Sequence, residues 1–240
     1  MTLCHLCDVR RKALFRQFDG AELDYVHARK MAETDIRTRA DVVEPGTAPG
    51  ALCTVLSGWA FVHRRLADGG RQILDFLLPG DLIDMDTLAG NGYGVRALTA
   101  LTLCRFDGLS LAHVLREQPG LCEGFAVTRS HDERRLYERL ASLGRRSAAQ
   151  RLAHLMLEIT DRVRARGMDG GTWCPFPLQR QHMADALGLS GTQVNRSLAE
   201  LRDQGLATVG NGALVILDRP GLEALADYAG AAEAGERFIL

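Results

Sequence analysis

Apolar residues between Pro177 and Gly212 follow a helical period on both sides of one glycine. They recur at helical spacing before and after Gly188, so they would share one face of each helix. These positions are Met183, Leu187, Leu189, Val194, Leu198 and Leu201. Two short amphipathic helices across a glycine-containing turn predict a helix-turn-helix. An ordinary helix hairpin with one solvated face is the alternative interpretation.

The flanking segments extend this prediction on both sides. After the second helix, β-prone runs at 206–209 and 213–216 surround Asn211-Gly212, a dipeptide that tolerates the positive φ of a tight turn. A hairpin in this place predicts a winged arrangement, and residues 220–228 predict a last short helix. A preceding helix is predicted by an apolar stripe at Leu152, Leu155, Met156, Ile159 and Val163.

The N-terminal half has a different pattern. Residues 1–30 form a short cysteine-bearing arm followed by one predicted helix. From Thr38 to Phe106, short β-prone runs alternate with turn signals, which predicts an antiparallel barrel or jelly roll. The turn signals are Pro45-Gly46, Ser57-Gly58, Asp68-Gly69-Gly70, Pro79-Gly80 and Asn91-Gly92.

Two helices are predicted between these halves. The first is short, from Leu109 to Leu115, and the second is long, over residues 121–144. The long helix carries apolar residues on roughly one face, but its middle, from Thr128 to Arg135, is polar. It is either a surface helix on the barrel or a dimer helix. We favour the dimer helix because helix-turn-helix proteins usually work as symmetric pairs.

These elements predict an α+β protein with three parts. Residues 1–119 form the arm and a β-roll (jelly roll) that senses a signal, residues 120–144 a long dimerisation helix, and residues 145–240 a winged helix-turn-helix. The second helix of that motif begins after Ser190, whose hydroxyl can cap it. Short polar residues and one arginine then point away from the apolar stripe, which suits base reading in a major groove: Thr192, Gln193, Asn195 and Arg196.

Composition narrows the class of protein without identifying it. The chain has 240 residues, of which 46% are hydrophobic and 25% charged, and these values are typical of a globular protein. No apolar run could span a bilayer and no secretion segment precedes the arm, so we expect a cytoplasmic protein without a membrane partner. Net charge is −1, but nine arginines and five acidic residues lie between Arg145 and Arg202, which modestly favours a phosphate backbone. A general preference for arginine over lysine explains the same count.

Several phrases of the chain resemble one known family. The run LSGWAFVHRRLADGGRQILDFLLPGDLI resembles the roll of the Crp/Fnr superfamily, and GRRSAAQRLAHLMLEI, ADALGLS and VNRSLAELRDQGL resemble its DNA-binding half. The similarity extends from about Ala48 to Asp227 and implies a roll of the cyclic-nucleotide-binding type, a dimer helix and a winged helix-turn-helix. The Val-Asn-Arg triplet is similar to that of one branch of the family.

The resemblance implies a role for Arg196 as the arginine that reads guanine O6 and N7. Thr192 stands where the named regulators of the family carry a glutamate, so their half-site cannot be transferred to this chain. Asn195 could pair with adenine instead. At the start of the first helix, side chains and N–H groups would meet phosphate: Gln179, Arg180 and Gln181.

The signal is less clear from the sequence than the DNA-binding half. The family binds a cyclic nucleotide with a Gly-Glu pair and, about ten residues later, Arg-Ser. Here Asp84-Met85 and Asn91-Gly92 occupy these places, so we expect no cyclic nucleotide bound in the usual way. Arg96 lies nearby, but we expect it to be a strand surface residue. Another small molecule in the roll stays open.

Cysteines are the other candidate sensor. Cys4 and Cys7 form a C-x-x-C, and Cys104 resembles the internal ligand of the family's iron–sulfur regulator. The third N-terminal cysteine of that pattern is missing, and Asp8 or Cys53 would have to replace it. A zinc or thiol-redox site is a second hypothesis. The third is that Cys53, Cys104 and Cys122 are small core residues and that the arm binds nothing. We interpret Cys174, beside Trp173 and Pro175, as structural or incidental.

A barrel enzyme is the alternative from another class of protein. A cupin-like metal- or small-molecule-binding roll needs histidines and carboxylates on neighbouring strands, and only His63 falls in the strand region. The sequence has no nucleophile elbow and no phosphate-binding glycine loop. We therefore expect a transcription regulator and no enzyme. Its expected partners are a palindromic DNA operator, a second copy of the chain and RNA polymerase.

Overall fold

The computed structural model describes residues 2–12, 14–47, 50–107 and 111–230. These residues form two compact units, and the boundary between residues 130 and 131 lies inside one long helix. None of the helices in these ranges combines the length and apolar composition that crossing a bilayer requires.

Two four-stranded antiparallel sheets form the first unit, as predicted for the roll. One sheet has the order β1-β8-β3-β6 and the other β2-β7-β4-β5. The strand bounds are β1 Ala32–Ile36, β2 Asp41–Val43, β3 Ala51–Ser57, β4 Ala60–Arg65, β5 Arg71–Leu77, β6 Leu82–Asp84, β7 Gly94–Ala97 and β8 Leu101–Asp107. The strands begin at Ala32, earlier than the predicted start at Thr38, because Glu33 and its neighbours pair with β8 although they are polar.

Small and branched apolar side chains fill the roll. Val55, Ala60, Ile83, Val95 and Leu103 belong to this cluster and are almost fully buried. At Gly58 the backbone has a φ of +78°, and a Cβ would lie 2.0 Å from the carbonyl oxygen of Ala100. Only glycine fits there, because the two turns of the roll touch backbone to backbone.

The N-terminal arm is held against the outside of the roll. It carries a short 3₁₀-helix, Cys4–Leu6, and helix α1, Gly20–Arg29. The ring of Phe15 is fully buried over Gly80, where a Cβ would lie 2.0 Å from Cζ of that ring. Lys30 Nζ donates to Glu33 Oε1 and to the Thr2 carbonyl, each at 2.6 Å.

Helices follow the roll in the predicted order. A short helix that the sequence analysis missed, α2 Met85–Gly90, lies between β6 and β7. After β8 come α3, Leu111–Glu117, and the long α4, Leu121–Arg145. The predicted helix 109–115 thus ends later than expected, and its first two residues lie outside the described ranges. The bounds of α4 agree with the predicted 121–144 to within one residue.

The second unit is a helix-turn-helix with a wing. Its elements are α5 Ala148–Ala165, β9 Cys174–Pro175, α6 Arg180–Leu187, α7 Gly191–Asp203, β10 Ala207–Gly210, β11 Ala213–Ile216 and α8 Arg219–Ala226. All five predicted stripe positions of α5 are buried. β11 pairs with β10 and also with β9, a short strand that the sequence analysis did not predict.

Candidate nucleic-acid interface

Gly188 makes the turn between α6 and α7. Its φ of 62° and ψ of 40° are left-handed, and its N–H donates to the carbonyl of Ala184. This is the usual end of an α-helix at glycine. Val194 and Leu201 of α7 and Met183 of α6 are at most 1% exposed. Leu187 is buried as well, and Leu189 and Leu198 are partly buried, so the predicted apolar faces are confirmed at four of six positions.

Ser190 fixes the start of α7, as predicted. Its Oγ accepts from the Gln193 backbone N–H at 3.2 Å, and Gln193 Oε1 accepts from the Ser190 N–H at 2.8 Å. This reciprocal pair is a capping box. It engages the amide oxygen of Gln193 within the helix cap, so the side chain offers a ligand mainly its amide NH₂ group.

The outer face of the two helices is polar and open. All eight predicted contact residues are exposed: Gln179, Arg180, Gln181, Ser190, Thr192, Gln193, Asn195 and Arg196. Within the part of the chain that the structure describes, the side chains of Asn195 and Arg196 make no hydrogen bond or ion pair. Their donors are therefore free to meet an external ligand. Ser197, one residue further, is buried at 3% exposure and faces inward.

The first helix begins with a contact that the sequence analysis missed. Nδ1 of His182 accepts from the backbone N–H of Gln179 at 3.1 Å. The ring satisfies one of the free backbone N–H groups at this helix end. The signal was a side-chain acceptor three residues after the N-cap position.

The wing has the predicted hairpin turn. Asn211 and Gly212 have φ values of 51° and 75°, which is the two-residue turn that suits a right-handed strand twist. Cys174 is 3% exposed in β9. Leu214 pairs with Cys174, and this third strand ties the wing to the segment that precedes α6.

Some of the charged residues of this half are buried, so fewer arginines are available at its surface than the sequence suggests. Arg162 and Arg166 are 1% exposed, so they cannot contact the phosphate backbone of DNA. The surface excess of positive charge is therefore smaller than the sequence implied. Burial raises the pKa of Glu158, but the charges of Arg139, Arg162 and Arg135 outweigh it and hold that pKa below its usual range. Within α5 the i,i+4 pair of Glu158 and Arg162 inside an apolar stripe was the missed sequence signal.

The roll positions that match the family's nucleotide site hold other contacts. Asp84 caps α2, with Oδ1 accepting from the Thr87 N–H at 3.0 Å and Oδ2 from its hydroxyl at 2.8 Å. Met85 is 1% exposed in the roll core, and Asn91 donates to the Thr87 carbonyl at 2.7 Å. Arg96 lies in β7 as predicted, with Nε 3.7 Å from Asp41 Oδ1.

Cysteine placement separates the hypotheses about the arm. Cys4 and Cys104 pack in one apolar cluster, and burial raises the pKa of Cys104 to about 12. Cys53 pairs with Arg105 across β3 and β8, whereas Cys104 pairs with Thr54. Neighbouring residues of a strand point to opposite faces, so Cys53 cannot join Cys104 as a ligand.

The remaining cysteine predictions have different outcomes. Cys53 and Cys104 are buried core residues as expected, but Cys122 is exposed, so its interpretation as a core residue was wrong. Its Sγ lies near the start of α4, 3.6 Å from the carbonyl oxygen of Leu115 in α3. Burial lowers the pKa of Arg10, and the negative charges of Cys4, Cys7 and Cys104 as thiolates act in the opposite direction. Even so, the described residues contain no group of three histidine, cysteine or acidic side chains arranged to hold a metal.

The described ranges show no third N-terminal cysteine and no side chain in its place beside Cys4, Cys7 and Cys104. Asp8 is exposed at the surface of the arm. The ligand role of Cys4, Cys7 and Cys104 therefore stays a prediction from the sequence.

A glycine turn between two helices, an open polar face on the second and a wing beside it are the geometry of a protein that docks a helix on duplex DNA. The model of the Crp-like helix-turn-helix domain matches residues 150–225, and that of the cyclic nucleotide-binding domain matches residues 34–118. The chain belongs to the Crp/Fnr family of DNA-binding transcription regulators.

Individual relatives agree with this assignment. The transcriptional activatory protein AadR of Rhodopseudomonas palustris is 30% identical over 73% of this chain and 73% of its own length. The nitrogen fixation regulation protein FixK of Bradyrhizobium diazoefficiens is 29% identical over 93% of both chains. The structure of FixK2 from Bradyrhizobium japonicum has the same fold, with a TM-score of 0.72, 23% identity, and coverage of 81% of this chain and 96% of that one.

Proposed function

We propose that α7 reads the bases of an operator in the major groove, with Arg196 donating to guanine and Asn195 to adenine. This proposal rests on the open polar face of α7. The side chains of Arg196 and Asn195 are exposed there, and neither has a partner among the described residues. Thr192 and the amide NH₂ of Gln193 add contacts at the start of α7. Gln179, Arg180 and Gln181 hold phosphate at the start of α6.

The regulator acts as a homodimer on a palindrome in this proposal. Leu136, Tyr137 and Leu140 of α4 are 43%, 60% and 64% exposed, which is unusual for an apolar set on one helix. A second copy of α4 would cover them and would place two recognition helices on half-sites one DNA turn apart. The relative AadR is a transcriptional activatory protein, which supports RNA polymerase as a further partner and the cytoplasm as the location.

The signal in this proposal reaches the roll or the arm and is not cyclic AMP. Support comes from Asp84, Met85 and Asn91, whose side chains serve helix α2 and the core. The relatives reported above are regulators, which supports the absence of catalysis. Iron and sulfide assays after anaerobic purification test the cysteine ligands separately: stoichiometric iron would establish them, and iron-free protein would remove them.

Substitution of Arg196 tests the DNA contact. Arg196→Ala removes a bidentate guanine contact, so we expect a 10- to 100-fold loss of affinity for the operator and little loss for random DNA, since such a pair contributes about 1–3 kcal/mol. Competition gel shifts with operator and random duplexes measure this ratio.

Arg202→Ala is the matched control. Arg202 is exposed near the end of the same helix, where its Nη2 lies 2.8 Å from Asp203, so its loss removes equal charge without a proposed base contact. An unchanged ratio of operator to random affinity in Arg196→Ala would refute the role of Arg196.

A further inference from the structure

The unit of residues 131–230 contains a pocket that the proposed function does not use. Its cavity volume is about 60 Å³, and the second half of α4, α5 and the segment after α8 line it. The hydroxyl of Tyr228 at its edge donates to Asp161 at 3.0 Å, and its ring stands edge-on to His154 at 5.1 Å. The pocket is therefore built from ordered side chains of three elements.

Positive charge exceeds negative charge beside this pocket. The buried Glu158 is shared by three arginines: its Oε1 lies 2.9 Å from Arg139 Nη2 and 3.5 Å from Arg162 Nη1. Nε of Arg135 is 4.0 Å away from the same oxygen. Asp132 pairs with Arg135 at 2.9 Å. Two carboxylates thus serve three guanidinium groups, one of them almost fully buried.

The other charged residues that line the pocket, Glu138 and Arg134, do not cancel this excess of positive charge. Glu138 lines the pocket, but its Oε2 already lies 3.2 Å from Arg146 Nη2. Arg134 donates to the carbonyl of Gly230 at 3.3 Å and, within the described ranges, pairs with no carboxylate. Among the described residues that line the cavity, Arg134, Arg135 and Arg162 stand against Glu138 and Glu158. Both of these carboxylates also contact an arginine outside the lining, Arg146 and Arg139 respectively.

The pocket stays accessible in the proposed dimer. Leu136 is two residues from Arg134, and Leu140 is two residues from Glu138, which is about 200° of helix rotation in each case. Leu136 and Leu140 therefore lie on the face of α4 opposite Arg134 and Glu138, whereas Tyr137, three residues from Arg134, lies between the two faces. A partner helix on the apolar face would leave the pocket open.

We propose that this pocket binds a small molecule with a compact divalent oxyanion group, such as a phosphate or a dicarboxylate. Guanidinium groups suit this ligand because each can donate two parallel N–H bonds to an oxyanion. Arg134 and Arg135 meet it from α4, and Arg162 supplies charge from α5. The cavity volume limits the enclosed part to a group of a few heavy atoms.

Ligand binding is tested on the full chain by thermal unfolding and isothermal titration calorimetry. The probes are inorganic phosphate and succinate, each against sodium chloride at matched ionic strength. We expect at least one probe to raise Tm saturably, by about 3–5 °C at ten times its Kd. Arg134→Gln weakens that binding at least tenfold, whereas Arg145→Gln, an exposed α4 residue outside the pocket, leaves it unchanged.

The variants separate this site from general salt effects, since phosphate stabilises many proteins by exclusion from their surface. A response to phosphate alone assigns a phosphorylated ligand, and a response to succinate alone assigns a dicarboxylate. Equal responses of the wild-type protein and Arg134→Gln, or no saturable response to either probe, would overturn the site. Any effect of the ligand on operator affinity rests on the proposed function, whereas these binding measurements do not.

Discussion

Single residues show why charge is hard to interpret from a sequence. Arg162 and Arg196 both occur in helices of the DNA-binding half, yet one is 1% exposed and the other lies open on α7. Their different roles depend on which helix face is covered by other elements. Ser190 was predictable because its cap involves residues three apart in the chain, whereas the shared contacts of Glu158 join α4 and α5.

Glu33 provides a test of electrostatics at one residue. The Lys30 ammonium and the Thr2 N–H lower the pKa of Glu33 to about 2. Its stabilising effect is complete above the unfolded pKa of 4.5 and is lost as pH falls towards 2. We expect Glu33→Gln to lower the free energy of unfolding by about 2 kcal/mol at pH 7 and by progressively less below pH 4.5.

Urea unfolding at several pH values measures this difference. Asp35→Asn, a change of the same kind on the same strand, is the reference. A destabilisation by Glu33→Gln that is constant from pH 7 to pH 3 would contradict the assignment of the lowered pKa to the contacts with Lys30 and Thr2.

Elements of three turns or more were predictable, and very short ones were not. The bounds of α4 and α7 follow from helical periodicity and caps, which are local. β9 has two residues and α2 has six, so neither repeats its pattern often enough to be recognised in the sequence. β9 forms only because β11 is beside it. The candidate DNA contacts were predictable for the same local reason, since they are the polar face of a capped amphipathic helix.

The exposed apolar face of α4 makes a prediction about assembly. Leu140→Glu places a carboxylate in the proposed helix pair, and burying it without a partner costs a few kcal/mol. We expect the dimer Kd to rise at least a hundredfold. Light scattering during size-exclusion chromatography measures the mass, and Arg145→Glu at the exposed end of α4 is the control. A Leu140→Glu protein that stays dimeric would show that another surface joins the protomers.

At the scale of the whole molecule, the class of protein followed from the order of its parts. A roll, a long helix and a winged module were each visible as a change of period along the chain, and the family models cover the same two regions. The chemistry of the signal was not visible, because a roll of this type can hold different ligands on the same strands. Spatial pairing, such as that of β3 with β8, decided which cysteine could act with which.

Adding cyclic AMP tests directly whether the roll responds to the usual nucleotide of the family. With Asp84 engaged in capping and Met85 in the core, we expect millimolar cyclic AMP to change operator affinity less than twofold. Fluorescence anisotropy with a labelled operator measures it. A tenfold or larger change would mean that the nucleotide binds through other residues of the roll.

The position of the N-terminal segment depends on the contact between Phe15 and Gly80. Its aromatic ring sits in space that a side chain of any other residue at position 80 would fill, on a backbone with a φ of +94°. The segment that carries Cys4 and Cys7 thus packs on the loop between β5 and β6 only because residue 80 has no side chain. A single methyl group at position 80 would displace the Phe15 ring and release the N-terminal segment from this loop. The interior of the roll would keep its packing.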